Sequence, residues 1–258
     1  MNEGKRLKDK LTRGDVCLGT WINFNDPTVA ELLTESGFDF FIIDSEHSAQ
    51  DNETVQLNCM ATKGTPVTPV VRVAWNDPVL IKRALDVGAG GILIPLVRSA
   101  RDVETGVAAC LYPPTGIRGF GPRRPASYER HFTEYIKTAN ENIAVWAQIE
   151  HIDAVNDIDR IVRVPNLTGI FIGAFDLSGS MGMLGQVGHP DVQAAITKVI
   201  QAARSAGLPA GMAGPGDVDL AFQWIQKGIQ FITLGGDQGY LVKASQALVG
   251  GVRERIGK

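Results

Sequence analysis

Gln148 and Glu150 stand two residues apart, so on a strand an amide and a carboxylate point to the same side. A second carboxylate, Asp176, follows the short apolar run Leu167 to Gly173. Brought together, Glu150 and Asp176 form a hard oxygen site suited to Mg²⁺ or Mn²⁺, and also to Co²⁺, with positions left for a bidentate oxygen ligand. Asp44-Ser45-Glu46-His47 places an imidazole close to a carboxylate, the makings of a general base and the group that orients it. Arg72, near the end of another apolar run, would supply fixed positive charge where negative charge develops. Trp21 ends a further run and suits either the wall of a ligand pocket or simple packing. Each group also has a structural reading. Asp176 suits a cap for the turn at Leu177-Ser178, Glu150 the start of a helix at His151, and Arg72 the neutralisation of Glu150 or another acid. Convergence of His47, Arg72, Gln148, Glu150 and Asp176 on one face favours chemistry, because an uncompensated polar cluster is costly to bury.

That convergence requires a particular set of elements. Short apolar runs predict strands at Val16 to Trp21, Phe40 to Asp44, Thr68 to Val73 and Gly91 to Pro95. Four more are predicted at Ala144 to Glu150, Leu167 to Gly173, Pro209 to Ala213 and Phe231 to Leu234. Helical spacing or helix-start chemistry follows each. After Pro190 the residues Val192, Ala195, Ile196, Val199, Ile200 and Ala203 form one apolar stripe, and Gly207 suits the terminating turn. Asp26-Pro27 and Asp77-Pro78 each set a capping acid before a proline. Eight strands alternating with helices predict parallel pairing and a single-domain (β/α)8 TIM barrel over residues 1–258. In that fold the reaction site lies at the C-terminal ends of the strands, where the groups above fall. The proline- and glycine-rich stretch Tyr112 to Ala126 is long for a connection and is expected to be functional.

With 258 residues, 44% of them hydrophobic and 21% charged, the chain can bury one large core. A net charge of −3 is of the wrong sign for a phosphate-backbone binder, so no nucleic-acid partner is expected. No apolar run approaches the ~20 residues of a membrane span, and Met1 to Leu7 lack the apolar stretch of a signal peptide. Cys17, Cys59 and Cys110 are widely spaced and odd in number, which reads as buried free thiols in a reducing, cytoplasmic setting. Val87 to Gly91 precedes a strand instead of following one, which rules out a dinucleotide loop. The turns Gly214-Pro215-Gly216 and Gly235-Gly236-Asp237 give only a weak phosphate-site signal. His151 and His189 begin or precede helices and read as structural, while His131, after the long loop, reads as a surface residue with the mouth as the alternative.

Taken together, several stretches resemble the HpcH/HpaI aldolase family, the metal-dependent 2-oxo acid aldolases. They are Phe38-Asp39, Ile43 to His47, Val71-Arg72-Val73, Trp75 to Pro78, Tyr112 to Gly119, Gln148-Ile149-Glu150, Phe171 to Ser178 and Gly188 to Val192. The resemblance implies a barrel assembled as a hexamer, a trimer of dimers, with the last helix exchanged between partners. It implies a divalent metal on Glu150 and Asp176, a base at His47 and an enolate-stabilising Arg72. It also implies an amide at Gln148 and a cradle for a 2-oxo acid carboxylate made by Gly173, Ala174 and Phe175. The family pattern has Gly-Pro before the metal-binding Asp, where this chain has Gly173-Ala174. Its Gly121 to Pro125 loop also departs from the pattern and is similar to that of a subset with broader aldehyde use.

The expected reaction is reversible cleavage of a 4-hydroxy-2-oxo acid to pyruvate and an aldehyde. In it His47 takes the 4-hydroxyl proton, Asp44 orients the imidazole, and Trp21 lines the aldehyde pocket. A Schiff-base route is disfavoured, since Lys63, Lys82, Lys137, Lys198, Lys227 and Lys243 all fall in helical segments or at their ends. The remaining alternatives are oxaloacetate decarboxylation of the macrophomate synthase kind, a CoA-ester lyase, and a silent barrel serving as a binding or assembly subunit.

Overall fold

Residues 3–257 are described by a computed structural model. The helix-start signals act as their chemistry dictates. Asp26 accepts from the Thr28 amide at 2.9 Å, and Asp77 accepts from Val79 and Leu80 at 2.8 and 3.1 Å. Between the helices run β1 Cys17–Ile22, β2 Phe40–Asp44, β3 Thr68–Arg72 and β4 Gly91–Ile94. They are followed by β5 Ala144–Ile149, β6 Gly169–Ile172, β7 Ala210–Gly214 and β8 Phe231–Gly236. The observed strand limits lie within two residues of the expected ones. Each strand pairs in parallel with the next, and β8 pairs back with β1, closing the barrel.

Twelve helices are formed by the described residues. The first six are α1 Glu3–Thr12, α2 Pro27–Thr34, α3 Asn52–Ala61, α4 Pro78–Asp86, α5 Ala100–Cys110 and α6 Phe132–Thr138. Then come α7 Ile152–Asn156, α8 Ile158–Ile161, α9 Ala174–Ser180, α10 Pro190–Ser205, α11 Val218–Gln226 and α12 Asp237–Arg255. Gly207 closes α10 with a φ of 70°, as its position predicts. None of the helices among the described residues is long and apolar enough to cross a membrane.

Strand periodicity divides the core into two shells. Phe41, Ile43, Val71, Ile92, Ile149 and Ile172 face outward and pack under the helices. Phe40, Ile42, Val70, Leu93, Trp146, Phe171 and Phe231 face inward and fill the barrel. The aromatic rings need space opposite them. A Cβ on Gly19 would lie 2.3 Å from the Phe40 ring, and one on Gly211 would lie 2.2 Å from the Phe231 ring. Below this layer α1 seals the N-terminal end of the barrel with Leu7 and Leu11, which the sequence reading left unassigned. All three cysteines are buried and free, and burial pushes each thiol up to about 12, which suits packing and opposes reactivity.

The long loop Tyr112 to Ala126 follows α5 and lies at the N-terminal end of the barrel, away from this chain's own strand-end groups. Arg118 binds Asp86 at 2.7 Å with its guanidinium over the Tyr112 ring, while Arg124 donates to the Cys59 carbonyl at 2.7 Å. Both arginines are buried, at 3% and 5% exposure, and they pin the loop to the helix ends there. A groove of about 1000 Å³ also opens at that end, lined by Lys5, Tyr112, Phe120, Asn140 and Pro209, with none of the strand-end carboxylates.

Candidate active site

The inward parity that buries Phe40 and Ile42 on β2 turns Asp44 into the C-terminal mouth. The same parity on β3 turns Arg72 inward, and the two are register partners across the sheet. Their side chains meet in a two-point ion pair, Nε to Oδ1 at 2.9 Å and Nη2 to Oδ2 at 2.6 Å. Arg72 Nη1 lies 3.2 Å from Glu46 Oε2, and the guanidinium rests 4.5 Å above the Trp21 ring. The Trp21 indole is itself fixed by donation to Thr233 Oγ1 at 2.9 Å and by edge contact with Phe171. Trp21 is therefore the floor beneath the arginine. Arg72 neutralises Asp44 and Glu46, not Glu150, and is rigidly aimed.

On β5, Gln148 follows the inward-facing Trp146, and Glu150 lies just past the strand end. Gln148 Nε2 donates to Glu150 Oε2 in a short hydrogen bond, and the Leu96 amide donates to Glu150 Oε1 at 2.7 Å. The helix after Glu150 is capped by His151, whose Nδ1 accepts from Asp153 at 3.1 Å, so Glu150 does not cap it. Gly173 continues the adjacent strand β6. A Cβ there would lie 2.9 Å from Glu150 Oε2 and 3.2 Å from Gln148 Nε2, so only glycine leaves this corner open. Asp176 does not cap the turn after it either. Leu177 donates to the Gly173 carbonyl at 3.0 Å, and the Ser178 hydroxyl to that of Phe175 at 2.6 Å. Asp176 stands exposed in the first turn of α9, where it acts on the ionisation of both Glu46 and Glu150. Ala174 is buried beside Gly173, whereas Phe175 is 67% exposed.

His47 departs from the expected arrangement. Both carboxylate oxygens of Asp44 are committed to Arg72, and Oδ1 also accepts from the backbone amides of Glu46 and His47 at 3.0 and 3.3 Å. Asp44 thus shapes the backbone turn that carries the histidine instead of orienting its ring. The imidazole stands at the rim, 63% exposed, and its nearest acid is Glu46, 3.8 Å from Nε2. Glu46 was missed as a site residue in the sequence. Its placement beside His47 was the available signal, but it falls in a turn whose side-chain direction the strand period does not fix.

The cluster is anionic: Asp44 and Glu46 sit against the Arg72 guanidinium, and Asp176 lies near enough to act on both Glu46 and Glu150. Burial pushes Glu150 up to about 7, opposed by the Leu96 amide and reinforced by the charges of Glu46 and Asp176. Glu46 is raised by burial as well, opposed by Arg72 and reinforced by Asp44 and Asp176. One buried oxygen of the cluster, Gln148 Oε1, lacks a hydrogen-bond partner, whereas Glu46 Oε2 has its ion-pair contact with Arg72. Among the described residues no group of three or more His, Cys, Asp or Glu side chains is placed to hold a metal ion, so a cation here would rest on fewer protein ligands. The Glu150 and Asp176 carboxylates, with the orphaned Gln148 oxygen beside them, fit a cation that keeps positions open for a ligand and waters.

A closed parallel barrel with carboxylates and an arginine at its C-terminal mouth defines the chain as a (β/α)8-barrel enzyme. The HpcH/HpaI aldolase/citrate lyase model matches residues 18–244, and the chain belongs to that family of lyases. It is 37% identical over 243 residues to the 5-keto-4-deoxy-D-glucarate aldolase of Escherichia coli, with 94% of each chain covered. An HpcH/HpaI aldolase/citrate lyase family protein of Burkholderia cenocepacia superposes with a TM-score of 0.92 at 33% identity, over 96% of this chain and 98% of that one. Macrophomate synthase superposes with a TM-score of 0.84 at 26% identity, over 98% of this chain and 90% of the other.

Proposed function

We propose that this enzyme reversibly cleaves a 4-hydroxy-2-oxo acid to pyruvate, or a close 2-oxo acid, and an aldehyde, with a divalent cation as cofactor. The observation that carries the reading is the group of acids at the mouth, where Arg72 pairs with Asp44 and Glu46 and leaves Glu150 and Asp176, without a cationic partner among the described residues, to hold the ion. When bound, the cation supplies Lewis-acid polarisation of the 2-oxo group. Arg72 holds positive charge where the enolate oxygen forms, and its lock on Asp44 and Glu46 means that no reorganisation is needed as the charge develops. Gln148 presents its orphaned Oε1 to the bound ligand, while Gly173 and Ala174 leave room for the substrate carboxylate. His47 at the open rim takes the 4-hydroxyl proton and returns it in the condensation direction. The likeness to macrophomate synthase supports a second use of the same enolate site, decarboxylation of oxaloacetate.

The test is pyruvate release across a panel of 4-hydroxy-2-oxo acids and oxaloacetate. Chelation with EDTA is expected to abolish release, and Mg²⁺, Mn²⁺ or Co²⁺ to restore it. Full activity in excess chelator, or a pyruvate adduct trapped by borohydride, would remove the metal reading.

The family resemblance extends the proposal to assembly in the cytoplasm as a homo-oligomer, a hexamer built as a trimer of dimers. Its support is α12, in which Asp237 alone is buried and Leu241, Leu248, Val249 and Val252 are each at least 50% exposed. Leu248→Glu is expected to yield a smaller species by light scattering. An unchanged mass would place the contact elsewhere.

A further inference from the structure

Among the described residues five other than glycine have a positive φ, and four of them lie at the N-terminal end of the barrel. Ser127, Tyr128 and Glu129 form a left-handed turn beyond the long loop, and Asn166 precedes β6. The fifth, Leu96, has a φ of 54° and sits at the C-terminal mouth just past β4. Leucine has no polar side chain to stabilise that conformation as asparagine does. The residue is also 37% exposed, so it is not locked in the core. The conformation does direct one group. Its amide donates to Glu150 Oε1 at 2.7 Å across the β4–β5 junction, while Gln148 holds Oε2.

We propose that the left-handed turn at Leu96 is a positioning device that fixes the Glu150 carboxylate, through its backbone N–H, in the orientation that receives the cation. The inference rests on the metal reading above and extends it to a strand that contributes no ionisable side chain to the site. Backbone strain of this kind persists where surrounding structure enforces it, and it concentrates at functional sites. Fixing both oxygens in advance removes their rotational freedom before the ion arrives, as outer groups around metal sites commonly do.

The test is Mn²⁺ affinity measured by calorimetry on metal-stripped protein without substrate, with the melting temperature recorded in parallel. Leu96→Gly accepts positive φ freely and keeps the N–H, so Mn²⁺ affinity should stay at the parent value. Leu96→Val resists positive φ because of its β-branch, so Mn²⁺ should bind ~10–100-fold more weakly. If Leu96→Val does not fold, replacing Leu96 with its α-hydroxy acid analogue deletes the N–H, keeps the side chain and should give the same loss. A turn that served the fold alone would lower the melting temperature in Leu96→Val and leave Mn²⁺ affinity unchanged, which would overturn the inference. Equal losses of affinity in Leu96→Gly and Leu96→Val would overturn it as well. A parent protein whose Mn²⁺ affinity is indifferent to Glu150→Ala would have a different signature. That result would remove the metal reading, and this inference with it.

Discussion

Arg72→Ala is expected to depress kcat by ~10²–10³, about 3 kcal/mol of transition-state stabilisation, while raising KM far less. The geometry sets both the size and the split. The guanidinium is held by Asp44 at 2.6 Å, by Glu46 at 3.2 Å and by the Trp21 ring beneath it. Its charge is therefore fixed in place, and what it adds is greatest when the enolate carries negative charge. Arg72→Lys should recover only part of the loss, since an ammonium cannot span Asp44 with two parallel bonds and still face the substrate. Removal of the arginine also strands two acids whose side chains are 3% and 10% exposed. Breaking a buried pair in this way costs roughly 3–5 kcal/mol, so the melting temperature should fall too. Asp44→Asn in the Arg72→Ala background separates the effects, because it relieves the stranded charge and should restore stability without restoring turnover. A stable variant that works within a few-fold of the parent would eliminate the catalytic role.

The second large effect concerns His47. His47→Ala should slow aldol cleavage by ~10²–10⁴ and leave oxaloacetate decarboxylation and pyruvate proton exchange near parental rates, because only cleavage must deprotonate a 4-hydroxyl. Metal affinity should be unchanged, since the imidazole is at the rim and 63% exposed. Asp44 provides the discriminating comparison. If it oriented the imidazole, Asp44→Asn would share the selective loss of cleavage. The structure commits both Asp44 oxygens to Arg72, so Asp44→Asn should instead depress all three reactions together. Equal losses in the three reactions for His47→Ala would assign the histidine an organising role instead of proton transfer.

The barrel was legible in the sequence because its determinants are local. Caps at Asp26 and Asp77, the stripe from Val192 to Ala203 and the eight apolar runs each declare an element within a few residues. The two-residue strand period also brings Arg72 and Gln148 to the inner face once the apolar partners of each strand are known. Even α1 carried a signal in the four-residue spacing of Leu7 and Leu11, although the polar residues around them obscured it. Pairing across strands was not legible. Which oxygen meets which nitrogen depends on register and on side-chain reach between segments far apart in sequence, and the period fixes neither. Tertiary structure therefore decided that Asp44 serves Arg72 instead of His47, and that Glu46 turns inward. It also placed the arginine-rich loop at the opposite end, because α5 returns the chain there before that loop begins. The contribution of Leu96 is the clearest case: it is made by a backbone N–H, which every residue except proline possesses, and only the left-handed turn after β4 aims it at Glu150.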